Sequence, residues 1–393
     1  MERVDILVVG GGLAGLTAAA RLGATGRSVA VVDPAPAGRT KKKADRRTTA
    51  FLQPSIETLK RAGAWDAMEV AGAPLRVMRI VDAGGPEHRP RETADFTGAE
   101  TGHGLFGYNV PNASARNALL ARIRRMPNVE RLSGLSVTGY LPRTREAVLT
   151  LSDGRRIAAR LAVAADGRDS TLRRLAGIGR RRWSYGQTAL VFTVAMSRSH
   201  ENVSTEIHRT GGPLALVPMP DDEGSPTASI VWINLDARAR ELAAMDDADL
   251  AVELTAETMG LFGPLRIVSE RAAWPMISQV AHRLRAERVA VIAEAAHVMP
   301  PIGAQGLNTS LHDIETLAEL TEAAADPGDS RILSRYEVRQ LPLILAKVAG
   351  IDALNRAVRA EFQPFRDLRA FGLAAVSRIP SLRRFAIKAG MGG

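Results

Sequence analysis

Ile6-Leu7-Val8-Val9-Gly10-Gly11-Gly12-Leu13-Ala14-Gly15 decides how this chain begins to fold. The four apolar residues read as a short buried strand that runs directly into glycines. Leu13 to Leu22 then reads as a helix rich in small residues, and Ser28 to Val32 as a second strand closed by Asp33. That is a βαβ unit of about thirty residues. Within it Gly10-x-Gly12-x-x-Gly15 has mechanical meaning. The first glycine makes the tight turn, the second lets backbone approach a pyrophosphate, and the third lets helix and sheet pack closely. The helix start, Leu13 and Ala14 included, offers free N–H groups and partial positive charge to the phosphates. Asp33 is placed to accept hydrogen bonds from a ribose, so the unit implies a bound dinucleotide.

A second match, Gly102-His103-Gly104-Leu105-Phe106-Gly107, serves as a control. Extended Tyr108-Asn109-Val110-Pro111 follows it instead of a helix, so it reads as a loop. Without a second fingerprint, no separate nicotinamide-dinucleotide domain is expected, and any nicotinamide binds transiently elsewhere.

Further out, residues 35–47 read as an exposed loop, its Lys41-Lys42-Lys43 cluster a solvated one. Helices are expected near 53–62 and 113–125, and a hairpin over 148–151 and 156–165 turns at Ser152-Asp153-Gly154. From Trp183 the texture changes. Runs at 187–196, 203–208, 214–217 and 229–235 are β-rich and separated by Gly, Pro and Asp turns, as in an inserted antiparallel sheet. A buried strand returns at 288–293, and from Leu307 the chain is mostly helical. The predicted division is discontinuous: 1–75, 100–182 and 276–330 form the dinucleotide domain, 76–99 and 183–275 the inserted sheet, and 331–393 a helical C-terminal region.

The bulk numbers agree with such a protein. A chain of 393 residues exceeds a typical single core, and 46% hydrophobic with 24% charged residues is an ordinary globular balance. Zero cysteines exclude disulfides, thiolate catalysis and a cysteine metal site, and no metal is expected. No stretch approaches the ~20 apolar residues that a spanning helix needs, and the run Leu341 to Ile351 is interrupted by Lys347. A strand pattern from Asp5 leaves no room for a signal peptide, and the expected location is cytoplasmic. The net charge of +10 suits phosphorylated cofactors or anionic lipid. With 4% aromatics and no nucleic-acid motif, no nucleic-acid partner is expected.

Two later segments choose among dinucleotides. Ala164-Ala165-Asp166-Gly167-Arg168-Asp169-Ser170 follows a strand and precedes Thr171-Leu172-Arg173-Arg174. Ala293-Glu294-Ala295-Ala296-His297-x-x-Pro300-Pro301-x-Gly303-x-Gln305-Gly306-x-Asn308 follows the last buried strand and opens a helix. A carboxylate at a strand end can hold ribityl hydroxyls, and a glycine-rich helix start can point N–H groups at the edge of a flavin where charge appears on reduction.

In this order of motifs the chain resembles the single-component FAD-dependent aromatic hydroxylases. Arg47-Thr48-Thr49-Ala50-Phe51, Tyr108-Asn109-Val110-Pro111-Asn112 with Arg116, Gly212-Pro213-Leu214-Ala215-Leu216-Val217-Pro218, Val231-Trp232 and Phe365-Arg366-Asp367-Leu368-Arg369 resemble the ubiquinone-biosynthesis hydroxylases of the UbiH/UbiF type. The resemblance implies an α/β (α+β) fold: a Rossmann-like FAD-binding domain, an inserted antiparallel substrate sheet and a helical C-terminal region. It also implies a monooxygenase that hydroxylates a phenolic ring, a polyprenylated ubiquinone precursor, with FAD, NAD(P)H and O2. Gly10, Gly12, Gly15 and Asp33 would hold the ADP half of FAD, with Arg47 and Arg116 near the flavin and its phosphates. Asp166 would lie by the pyrophosphate and the transient nicotinamide, and Glu294 by the ribityl chain. Pro301, Gly303, Gly306, Leu307 and Asn308 would line the ring. His297 belongs to the same motif and is a weak candidate for proton transfer, whereas His200, His208 and His282 read as turn or surface residues.

Three positions depart from the family pattern. Its usual Gly-Asp is Ala293-Glu294, and a usual glycine is Ser310. Ala293 fits without strain only if its φ is negative. These departures keep open a scaffold reading, a catalytically impaired flavin-fold subunit of a quinone-biosynthesis complex. A flavin-dependent oxidoreductase of another reaction type is the other alternative. From Gly350 onward eight Lys/Arg face three acidic residues among Phe and Leu. That segment reads as a packed helical extension, or as a basic amphipathic face touching the inner surface of the cell membrane.

Overall fold

The computed structural model describes residues 1–36, 47–83, 89–209, 211–222, 224–359 and 363–391; the Lys41–Lys43 cluster lies outside them. In chain order come β1 (Glu2–Val9), α1 (Leu13–Gly23), β2 (Val29–Asp33), β3 (Thr48–Leu52), α2 (Gln53–Ala62), α3 (Trp65–Glu69), β4 (Ala73–Leu75), β5 (Val77–Asp82) and β6 (Glu92–Thr97). Next are β7 (Gly107–Pro111), α4 (Asn112–Arg124), β8 (Val129–Ser133), β9 (Val137–Pro142), β10 (Ala147–Leu151), β11 (Arg156–Ala164) and α5 (Thr171–Leu175).

These segments build a sheet ordered β1 beside β2 and β11, all parallel, with β8 outside β2 and β9–β10 hairpinned onto β11. A parallel sheet covered on both faces needs unbroken apolar strands, and Ile6–Val9, Val29–Val32 and Leu161–Ala164 are all buried. The register Val9↔Ala164 brings the two loops that follow β1 and β11 to one edge.

The chain then enters a second sheet through β12 (Arg180–Met196), β13 (Val203–Arg209), β14 (Gly212–Asp222) and β15 (Ser225–Leu235). Helices α6 (Asp236–Ala244) and α7 (Asp247–Glu257) follow, then β16 (Leu265–Ile267) and β17 (Ala272–Ala281). This sheet runs β17-β12-β15-β14-β13-β5-β6. Alternation sorts its side chains. Leu190, Phe192, Val194, Leu214, Leu216, Ile230 and Trp232 pack with Leu242, Leu250 and Leu254 of α6 and α7, so their neighbours in sequence face the opposite way.

The chain returns to the first sheet with β18 (Arg285–Ala286) and β19 (Val289–Val291), the latter parallel to β11. There follow the single turn α8 (Ala293–Ala296), β20 (His297–Val298), α9 (Gln305–Glu322), α10 (Ser330–Arg359), α11 (Gln363–Arg378) and α12 (Pro380–Met391). No helix among the described residues is long and apolar enough to cross a membrane.

Two details differ from the sequence reading. β12 begins at Arg180, seven residues before the expected strand, because Arg180 meets Asp169 at 2.8 Å and Arg181 lies 5.6 Å over the Trp183 ring. Three consecutive arginines disguise a strand whose charges are thus accommodated. His200 lies in the turn before β13 as expected but is buried, and His208, expected at a turn or on the surface, is buried on β13 itself. Their ring nitrogens bond the Met219 carbonyl at 3.3 Å and the Glu206 carboxylate at 2.7 Å, which is what makes burial of an imidazole tolerable.

Candidate functional site

Three loops leave the ends of β1, β11 and β19 at the same sheet edge, because the three strands are parallel neighbours. In the first, Gly10 has φ +110°, and a Cβ there would sit 2.3 Å from the Ala165 carbonyl oxygen. A Cβ on Gly11 would strike the Asp33 carboxylate at 1.8 Å, and one on Gly15 would meet the Gly10 oxygen at 1.9 Å. Around Gly12, by contrast, the space is open. Gly12 is also the N-cap of α1 with no side-chain cap, leaving the first-turn N–H groups for an outside acceptor. Asp33 is buried at the end of β2 and accepts the Ala35 N–H at 2.8 Å. Arg116, from α4, donates to the Gly11 carbonyl and stands 3.9 Å from Asp33.

A cation that the sequence did not flag joins them. Arg131 on β8 has a buried Nε without a hydrogen-bond partner. Burial lowers its pKa, and Arg116 nearby adds to the effect. An uncapped helix start, a cradle that a Cβ would fill and an orphaned guanidinium N–H fit an anionic pyrophosphate. Only its place on a strand beside Asp33 marks Arg131, and no motif signals it.

In the second loop Asp166 is a cap. Its carboxylate accepts the Thr171 and Leu172 N–H groups at 2.7 and 3.1 Å and the Ser170 hydroxyl, nucleating α5. A Cβ on Gly10 would lie 2.8 Å from the Asp166 Cα, so the two motifs touch through backbone. Arg173, buried in α5, donates to the Ala295 carbonyl at 2.7 Å and ties the second loop to the third.

The third loop carries the conformational cost. Ala293 adopts φ +54°, so the condition for an unstrained alanine is not met. Left-handed backbone costs an L-residue roughly 1–2 kcal/mol. Asp313 of α9 offsets that cost by accepting the Ala293 N–H at 3.1 Å and the His297 Nε2 at 2.7 Å on one oxygen. His297 is 2% exposed and Asp313 fully buried, which makes the imidazole a brace within this turn. Glu294 points outward with Arg168 at 3.6 Å.

Beyond it Gly303 and Ala304 are both left-handed, at φ +60° and +56°, and Ala304 caps α9 without a side-chain bond. The N–H groups of the Gly306–Leu307 turn are therefore presented much as in α1, and an electron-rich ring edge suits them. Pro301 is exposed in the connecting loop. Asn308 is committed to the scaffold: it accepts the Leu52 N–H at 3.0 Å and donates to the Ala50 and Ala304 carbonyls at 2.8 and 2.7 Å. Ser310 bonds the Gly306 carbonyl within the helix at 3.0 Å, so its hydroxyl is satisfied where the resemblance leads one to expect glycine. Arg47 lies 4.8 Å over the Trp274 ring of β17.

The face of the second sheet turned away from α6 and α7 carries Val191, Ala215, Val217 and Val231. Val231 is in register with both Val191 and Ala215. All four are only half-buried, whereas their rear-facing neighbours are buried. They form a wall of small apolar side chains. A separate groove of about 620 Å³ between β12, β17 and α10, lined by Arg181, Trp183, Leu345 and Arg356 among others, contains none of the motif residues.

Residues 3–349 match the family described as FAD binding domain. A ubiquinone hydroxylase, UbiL, of Rhodospirillum rubrum is 35% identical over 99% of this chain and 89% of its own length. The 3-demethoxyubiquinol 3-hydroxylase of Escherichia coli is 29% identical over 100% of this chain and 99% of its own. Among solved structures, p-nitrophenol 4-monooxygenase PnpA of Pseudomonas putida superposes with a TM-score of 0.81 at 20% identity, covering 100% and 99% of the two chains. PqsL of Pseudomonas aeruginosa gives 0.77 at 24%, covering 94% and 100%. At these identities the two structures bear on the fold alone.

Proposed function

The chain belongs to the FAD-binding domain family, among its ubiquinone-biosynthesis hydroxylases, and from that premise we propose that it hydroxylates the phenolic ring of a polyprenylated ubiquinone precursor. The observation that carries this reading is the convergence of three loops on one sheet edge, with uncapped helix starts following the first and the third. FAD held there would supply the redox chemistry by which NAD(P)H reduces O2, one oxygen atom entering the ring and the other leaving as water.

The chain's own groups bind, orient and exclude water. The Leu13 and Ala14 N–H groups would meet the pyrophosphate at Gly10, Gly12 and Gly15, with Arg116 and Arg131 balancing its charge. Asp33 would hold the ribose, and Glu294 the ribityl hydroxyls. Gly303, Gly306 and Leu307 would bring backbone N–H groups to the ring edge, and Pro301 would border it. Arg47 would guard the entry from β17, and Asp166 would fix the loop nearest the nicotinamide. Val191, Ala215, Val217 and Val231 would roof a dry pocket in which an electron-rich ring is oriented and water excluded. The C-terminal region would bring the protein to the inner face of the cell membrane, where such a substrate resides, and into a quinone-biosynthesis complex.

Purified protein should carry flavin absorbance that NAD(P)H bleaches without oxygen. With labelled O2 the hydroxylated product should gain one labelled atom; an unlabelled product, or a protein that takes up no FAD, overturns the reading. Val231→Phe should raise the KM for the aromatic substrate about tenfold, with less effect on the rate of flavin reduction, because overpacking a pocket wall costs about 1–3 kcal/mol.

A further inference from the structure

The last two helices present two unlike faces. Leu373, Val376 and Ile387 point inward and pack with Leu75, Phe96 and Phe106. Phe371, Ile379 and Leu382 point outward and are 72%, 45% and 41% exposed. Arg378 and Arg384 are exposed around the Ile379–Pro380 junction. The Ile379 and Arg383 N–H groups both reach carbonyls four residues back, so α11 and α12 form one helical strap bent at Pro380. Over residues 363–391 the sequence has six Arg or Lys against a single acid, Asp367.

Charged pairs fasten the strap to the second sheet. Arg383 grips Glu100, with one contact at 2.6 Å, and stacks 4.9 Å over Phe96. That pairing holds the Glu100 carboxyl at about 2. Arg91 pairs with Asp367, and Arg378 reaches Glu92 at 3.5 Å. At the far end the Gly390 carbonyl accepts the Gln305 side-chain N–H at 2.7 Å. Gln305 opens α9, whose first turn belongs to the ring end of the site.

We propose that the outer face of the α11–α12 strap is a docking surface for an anionic lipid bilayer, and that it seats the ring end of the site against that bilayer. The chemistry is that of an interfacial helix, with apolar side chains entering the headgroup region and arginines meeting anionic headgroups. Docking through this face would let a substrate with a lipid-soluble tail pass between α12 and the start of α9 without crossing water. This use of the surface rests on the hydroxylase reading above; the docking itself does not.

The test uses the flavin-loaded full chain and sedimentation with phosphatidylcholine vesicles, with and without phosphatidylglycerol. The wild type should sediment with the anionic vesicles and far less with the neutral ones. The double variant F371S/L382S should weaken that binding about tenfold or more and R384Q about fivefold, while both keep flavin content and turnover of a short-tailed, water-soluble phenol. Failure of the wild type to bind anionic vesicles, or binding by both variants as tight as that of the wild type, overturns the proposal. So does a change in sedimentation without vesicles, which would make the face a protein contact. A hydroxylase reading that failed under labelled O2 would leave the vesicle result standing, so the two can fail separately.

Discussion

The two ends of the candidate flavin site solve the same backbone problem by different means. At Gly10–Gly15 the turn is enforced by steric exclusion, since added Cβ atoms would lie 1.8–2.3 Å from their neighbours at three positions. At Ala293–Asn308 it is enforced by side-chain hydrogen bonds, from Asp313 beyond the segment and from residues within it. Asp313 and His297 hold the left-handed Ala293, and Asn308 pins α9 to β3. Steric exclusion tolerates no substitution. A braced turn tolerates alanine at a cost of about 1–2 kcal/mol, which explains how the chain departs from its family at one end and not at the other.

The sharpest way to break the comparison is at its rigid end. Gly10→Ala must move the Ala165 backbone or abandon φ +110°, and Ala165 leads directly into Asp166. Both loops deform, so flavin affinity should fall at least a hundredfold, with a stability loss of about 3 kcal/mol. Flavin absorbance per mole of purified protein and urea unfolding check the two parts. A variant that is as yellow as the wild type would show that the turn is not held by contact.

Next in size is the link between the ends. Helices α1 and α9 start at the two ends, and Arg21 of α1 meets Glu315 of α9 at 2.9 Å, with Arg61 at 2.8 Å. Burial pushes the Glu315 carboxyl up, but Arg21 and Arg61 together hold it below its usual value of 4.5. Because the folded pKa is the lower one, this carboxylate stabilises fully above 4.5 and loses that contribution as pH falls through the folded value. Arg21→Ala should cost roughly 2–3 kcal/mol at neutral pH, below the full cost of breaking a buried pair because Arg61 remains. The difference from wild type should shrink in acid. Urea unfolding across pH measures both; a difference that does not vary with pH would remove Glu315 from the account.

How much of this could be read beforehand follows the same division. Turns enforced by exclusion need glycine at fixed spacing, so α1, β2 and the end of β1 are legible in the sequence to within a residue, although β1 begins at Glu2, four residues before its apolar run. The control at Gly102–Gly107 is legible too: Gly102 and Gly104 are left-handed but a Cβ added at either would meet open space, and β7 follows. Features enforced from a distance are not legible. Asp313 lies twenty residues beyond the turn it holds, and Arg131 comes beside the end of β2 only through the β2–β8 pairing. The substrate-facing residues of the second sheet are likewise hidden. Alternation gives two faces, but only the packing of α6 and α7 tells which is the rear. Asp166 carries a recognisable motif, and the structure shows that its oxygens are spent on capping α5.

The smallest effect tests the braced end most directly. If Ala293 is strained at φ +54°, glycine should relieve the left-handed cost and give back part of it as lost chain entropy on folding. The net gain for Ala293→Gly should be about 0.5–1 kcal/mol. Flavin affinity should stay the same or rise slightly, because the backbone path is unchanged. The same substitution in an Asp313→Asn background should gain less, since a weakened brace lets alanine leave the left-handed region, with a coupling of about 0.5–1 kcal/mol. Four urea curves give that coupling. Equal gains in both backgrounds would mean that Asp313 accepts the Ala293 N–H without holding the turn. No gain in either would mean that alanine sits there relaxed, and the contrast between the two ends would then rest on the glycines alone.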